Sequence, residues 1–234
     1  MRAAIRILAA GALTLGLGSA ANAADAGADT LRFQVLLDGR PIGTHEFRIA
    51  AEQGRRIVES AARFDVRVLF VPVFRYSHDN TEVWVDGCVQ RLDSATDSNG
   101  KPYRVSLHRA GDGYRIATLE GSSEETASCI STFAYWDPAF LQQPRLLNSQ
   151  TGELIEVEVE PLGVVDLDWP GIDVPVEGFR IVAESDGVDI RVYYSEAGRR
   201  WAALESRLEN GRLMRYVPSV ELRHASGRDV TGEG

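Results

Sequence analysis

From Leu31 onward the chain places apolar residues at alternate positions and breaks them with turn signals, spaced about every 8–12 residues. A period of two sends neighbouring side chains to opposite faces of an extended strand, and no helical period competes with it. In "LRFQVLLDGRPIGTHEFRI" two such runs flank Asp38-Gly39, a step that readily takes the positive φ of a tight hairpin. Phe64, Val66 and Val68 then alternate with Asp65 and Arg67, Phe74 and Tyr76 with Arg75 and Ser77, and Val83 and Val85 with Glu82, Trp84 and Asp86. Further turns are expected at Asn99-Gly100, Gly111-Asp112-Gly113, Asp186-Gly187, Glu196-Ala197-Gly198 and Asn210-Gly211. The pattern predicts a mainly β protein, a twisted antiparallel β-barrel or half-open barrel. Trp84 faces away from Val83 and Val85, so either both faces of its strand are covered or the indole lines a cavity.

One segment breaks the alternation. In "STFAYWDPAFLQQPRLLN", Ser131 to Asn148, Asp137 has the character of an N-cap and Pro138 that of a first helical residue. Phe140, Leu141 and Leu147 would form an apolar face, which predicts a short central helix from about Asp137 to Leu147, acting as lid or plug.

The N-terminus carries Arg2 and Arg6 ahead of a small-residue apolar run and an Ala21-Asn22-Ala23 cleavage pattern, the marks of an export signal. The apolar run from Ile7 to Leu17 is too short to span a bilayer. Residues 1–23 are therefore expected to be removed, leaving a polar lead over 24–30, a single β domain over 31–224 and a tail over 225–234, in the periplasm or secreted. Loss of the two leader arginines takes the formal charge from −9 to −11, which disfavours nucleic acid and anionic membrane surfaces. Cys88 and Cys129 are the only cysteines. In an oxidising compartment they are expected to form a disulfide, closing a loop worth about 4 kcal/mol of unfolded-chain entropy.

Four short stretches together resemble a family of exported bacterial proteins of unknown function. These are the Asp38 to Gly43 turn with its Pro41-Ile42-Gly43, the Tyr76, Glu82, Trp84 and Gly87 spacing, Tyr135-Trp136-Asp137-Pro138, and Tyr193, Tyr194, Gly198 and Trp201. Tyr193 stands where that pattern has tryptophan. The resemblance implies a twisted antiparallel barrel and assigns no reaction. In shape such proteins are similar to lipoprotein carriers and lipocalin-like barrels, which hold an acyl chain.

Chemical candidates are sparse. His45, His78, His108 and His224 are the histidines available for a metal, and strand spacing puts His78, Asn80 and Glu82 of "HDNTE" on one face; the stretch reads as a polar turn followed by a surface strand face. No G-x-S-x-G occurs, and Ser77 and His78 would point apart. Glu156, Glu158 and Glu160 alternate with Ile155, Val157 and Val159 as a solvated face, while Asp166 and Asp168 precede Trp169. No metal and no cofactor is called for. Amphipathic rings remain: Tyr76, Trp84, Tyr135, Trp136, Phe140 and Tyr194 are the expected ligand-binding set, with Tyr193 beside them. The leading expectation is a binding protein for an apolar or amphipathic, lipid-like molecule. A cell-envelope hydrolase using Asp166 with Asp168, or His78 with Glu82, is the first alternative. A structural or interaction protein with a filled core is the second.

Overall fold

The computed structural model describes residues 28–68, 71–195, 199–208 and 210–219. The predicted leader, the C-terminal tail, His224 and the turn at 196–198 lie outside the described residues. Among the described residues there are sixteen strands: β1 (Asp29–Leu37), β2 (Arg40–Glu52), β3 (Arg55–Val68), β4 (Val71–Val85), β5 (Cys88–Ser98), β6 (Lys101–Ala110), β7 (Gly113–Thr118), β8 (Ser122–Glu125), β9 (Ser131–Thr132), β10 (Arg145–Leu147), β11 (Leu154–Glu156), β12 (Glu158–Val165), β13 (Val176–Ala183), β14 (Val188–Ser195), β15 (Trp201–Arg207) and β16 (Leu213–Pro218). Thirteen of them form one sheet in the order β12-β13-β14-β15-β16-β1-β2-β3-β4-β5-β6-β7-β8, and β11-β10-β9 form a second. The large sheet is antiparallel throughout. Positive φ at Asp38-Gly39, Asn99-Gly100 and Gly211 marks turns of the kind the sequence announces.

Among the described residues the sheet does not close, because β8 and β12 remain its two edges. It nevertheless curls around one core. Phe33 of β1, Phe47 of β2, Leu92 of β5, Leu107 of β6, Ile181 of β13 and Trp201 of β15 belong to a single buried cluster. A flat sheet could not bring side chains from strands so far apart in the ladder into one contact group.

The predicted central helix from Asp137 to Leu147 is not found. Asp137 does cap a helical turn, accepting from the Ala139 amide at 3.0 Å with Pro138 next to it, but the turn is a 3-10 helix ending at Gln142. Pro144 stops it: the residue before a proline is steered out of helical conformation, and proline cannot donate the next backbone bond. Gln143 is extended, and the chain continues into β10, which pairs in parallel with β9 and antiparallel with β11. Ala134, Phe140, Leu146 and Leu147 of this segment, with Ile130 just before it and Ile155 on β11 after it, join the main cluster. The segment therefore fills much of the space inside the curled sheet as a small sheet with one tight turn.

Cys88 and Cys129 are disulfide-bonded, with sulfurs 2.07 Å apart. The Val89 amide also donates to the Ile130 carbonyl at 2.9 Å, so the head of the insertion is fastened to β5 twice. On the outer face of the large sheet, Leu167, Trp169 and Ile172 lie over Val176, Tyr193, Ala202 and Ala203 in a second cluster. That strap explains why Tyr193 and Tyr194 are both buried although they point to opposite faces.

Gly43 serves a close approach. A β-carbon there would overlap the Arg63 carbonyl oxygen of β3. Gly43→Ala is expected to lower the unfolding free energy by roughly 1–3 kcal/mol, measured by urea denaturation. Replacing Cys88 and Cys129 together by alanine is expected to cost up to about 4 kcal/mol; equal urea midpoints for the oxidised protein and the double variant would show that the bridge contributes nothing.

Candidate functional site

The inward face of the β3-β4-β5 ribbon is polar where a sheet protein ordinarily stores its core. Along β4 the buried residues are His78, Asn80, Glu82 and Trp84, while Val83 and Val85 are only half buried. The expectation that "HDNTE" forms a polar turn and surface face is overturned, because these residues lie in mid-strand and point inward. Register extends the polarity sideways: Ser60 of β3 lies opposite Asn80, which lies opposite Ser94 of β5, and His78 lies opposite Thr96. All five of these residues are buried.

Across from this face sits the insertion, and between them is a cavity of about 250 Å³. His45, Ser60, His78, Asn80 and Glu82 make its polar wall; Phe133, Tyr135, Trp136 and Ile155 make the other. Of the rings expected from sequence, Tyr76, Tyr135 and Trp136 line it. Trp84, Phe140 and Tyr194 do not line it and support it from behind. Trp84 packs edge-on against Trp136 at 5.4 Å, Phe140 edge-on against Tyr135 at 5.7 Å, and the Tyr194 hydroxyl donates to the Tyr135 carbonyl at 2.8 Å. Arg56 lies over the Trp136 ring and pairs with Asp137 at 2.7 Å.

Glu82 is bound on both oxygens. Oε1 accepts from Asn80 Nδ2 at 2.8 Å, and Oε2 from Trp84 Nε1 at 2.7 Å and Thr132 Oγ1 at 3.4 Å. Burial still raises its pKa above the ordinary value, and the three donors only moderate this. His78 shares a 2.7 Å hydrogen bond with Thr96 through Nδ1, and His45 a 3.3 Å contact with the Tyr216 hydroxyl through Nδ1. Burial disfavours both imidazolium forms and lowers His45 to about 3 and His78 to about 4. The Tyr76 hydroxyl, which donates to Gln150 at 2.9 Å, is pushed up to about 12 by burial. The imidazoles and the phenol are therefore neutral near pH 7.

Two buried polar atoms of the cavity wall, His45 Nε2 and Asn80 Oδ1, have no partner among the described residues. Buried polar atoms are ordinarily satisfied, so the cavity wall offers unused hydrogen-bonding capacity. Catalytic geometry is weaker. His78 and Glu82 share a face but engage Thr96 and the Asn80-Trp84-Thr132 set rather than each other. Asp166 and Asp168 are exposed on the outer strap, away from the cavity. Glu156, Glu158 and Glu160 are exposed, and His108 is exposed on β6. Among the described residues no three His, Cys, Asp or Glu side chains gather in a way that would hold a metal ion, and no helix is long and apolar enough to cross a membrane.

Comparison with known proteins places this architecture. A domain of unknown function, DUF6134, matches residues 33–219, which include the whole cavity wall. The chain belongs to the DUF6134 family. Its fold is similar to that of a β-barrel-like protein of another domain of unknown function, DUF1849, from Brucella abortus, with a TM-score of 0.61 and 10% identity over 83% of this chain and 96% of that one. At that identity the likeness speaks for the fold alone. Among curated proteins the sequence finds no match.

The two imidazoles give this DUF6134 protein a distinctive response to pH. Their neutral forms stabilise the fold fully above 6.5 and lose that contribution as pH falls towards about 4 and about 3. Glu82 acts oppositely, its contribution being full below 4.5 and lost as pH rises. Asp38, Asp65 and Asp189, whose values are lowered, act only below 3.8. Between pH 6.5 and 4, two histidines outweigh one glutamate, so the urea midpoint is expected to fall. His78→Gln should flatten that fall and Glu82→Gln should steepen it; identical profiles for all three proteins would refute the assignment.

Proposed function

We propose that this protein is an exported binding protein whose cavity takes a compact amphipathic molecule with an uncharged polar end. The observation that carries the reading is the pair of unsatisfied buried atoms, His45 Nε2 and Asn80 Oδ1, in a wall that faces Tyr135, Trp136 and Ile155. The polar end would complete those hydrogen bonds, and the apolar part would lie against the rings and Ile155. Among the described residues no lysine or arginine lines the cavity, and burial draws Glu82 towards its neutral form, so the lining favours an uncharged polar end over a charged headgroup. At about 250 Å³ the space lies just below the roughly 300–1,000 Å³ of pockets that take drug-sized ligands. A long-chain lipid would therefore leave part of its length outside.

Export is part of this reading. Cleavage after Ala23 would deliver the chain to an oxidising compartment, which suits the Cys88–Cys129 bridge. A second reading, hydrolysis, is favoured only by the presence of His78 and Glu82 on the same cavity wall.

Native mass spectrometry of the protein purified from its own envelope, followed by extraction, tests the proposal. A small co-purifying molecule is expected, with occupancy reduced about tenfold or more in Asn80→Leu through the lost polar partner. Recovery of no molecule from protein shown to be folded would overturn binding and favour a filled core. Conversion of the recovered molecule by the wild type but not by His78→Gln would move the reading to hydrolysis.

A further inference from the structure

The β3-β4 hairpin outruns its neighbours. β2 accompanies β3 only as far as Phe64, paired with Gly43, and β5 accompanies β4 only as far as Tyr76, paired with Ser98. Arg75, opposite Asp65, is still held by the Asn99 amide at 2.7 Å; beyond it β3 and β4 pair with each other alone among the described residues, Val66 with Phe74, Arg67 with Pro72 and Val68 with Val71. An isolated two-stranded ribbon is marginal in water, yet this one carries apolar residues in the open. Val71 is 61% exposed, Val73 50% and Phe74 36%. On β4, Phe74 shares the face of Tyr76 and His78, so the arm's apolar face continues the wall of the cavity outward.

Its charge differs from that of the rest of the chain. Between residues 63 and 79 three arginines, Arg63, Arg67 and Arg75, stand against Asp79 and Asp65, which pair with Arg63 and Arg67, and a net excess of one cation remains in a protein whose formal charge is −9. Apolar tips with basic flanks are the pattern of segments that seat in the interface of an anionic bilayer. Strand addition by a protein partner fits less well, since the register shift between Val66 and Arg67 and the proline at position 72 both blunt the edges that such a partner would need. We propose that this arm docks the protein on a bilayer containing anionic lipid, with Val71, Val73 and Phe74 entering the interface and the arginines meeting the headgroups. The whole-chain charge, which argues against such a surface, is locally reversed here. The proposal does not depend on whether the cavity holds a ligand.

Flotation of the purified protein with vesicles of phosphatidylcholine plus phosphatidylglycerol, against vesicles of phosphatidylcholine alone, reads it out. Binding is expected to the anionic vesicles, weaker to the neutral ones. The double variant Val71→Asp/Phe74→Asp is expected to bind about tenfold or more weakly, with an unchanged thermal midpoint because both residues are exposed. Arg75→Glu is expected to remove the preference for anionic lipid, and Val73→Ser reads the apolar contribution should the double variant fold poorly. Folded wild type that floats with neither vesicle, or variants that float as the wild type does, would overturn the proposal. So would light scattering that shows a dimer dispersed by the same variants in a protein that ignores vesicles, which would assign the arm to self-association.

Discussion

The hydrogen bonds of Glu82 join the two halves of this molecule. Its carboxyl group takes Asn80 and Trp84 from its own strand and Thr132 from the insertion, deep in the interior. Two of those bonds fix the polar wall and the indole that supports Trp136; the third holds the inserted sheet against it. Burying a carboxyl group is costly unless its oxygens are satisfied, so the position of each partner is constrained by the same group. Removing the Asn80 amide leaves the buried Oε1 unpaired, which costs more than the mean value of a hydrogen bond, whereas Oε2 keeps one donor if either Trp84 or Thr132 is lost.

Much of the fold is legible in the sequence because β structure writes itself in local terms. Alternation and the Asp38-Gly39, Asn99-Gly100 and Gly211 turns concern neighbours in the chain, and so does the Asp137 cap. The extent of the central helix is misread where a local signal conflicts with a local breaker: Phe140, Leu141 and Leu147 suit a helical face, but Pro144 lies between them. Whether the sheet closes is a matter of pairing between β8 and β12, far apart in sequence, and period alone cannot report it.

The site was harder to read, for a different reason. Alternation identifies two faces of β4 but not which is inside, and the usual rule that the apolar face is buried gives the wrong answer for Val83 and Val85 against His78, Asn80 and Glu82. Trp84 was the available clue, since a tryptophan on the polar face makes that face an interior one. Tyr135 and Trp136 are marked in the sequence as amphipathic rings and both line the cavity, whereas Ser60 carries no local mark and is brought there with His45 by strand register.

The open seam has its own consequence. Both free edges carry carboxylates, Glu124 and Glu125 on β8 and Glu158 and Glu160 on β12. Charged edge strands resist the addition of further strands, and like charges set opposite one another oppose pairing. Three of the four are partly offset, by Arg115 and Arg180 on the neighbouring strands and by Arg145 on β10 of the inserted sheet, so the fold tolerates them while an incoming edge would meet them. The seam that leaves the barrel incomplete is thereby also protected against copying itself into a fibre.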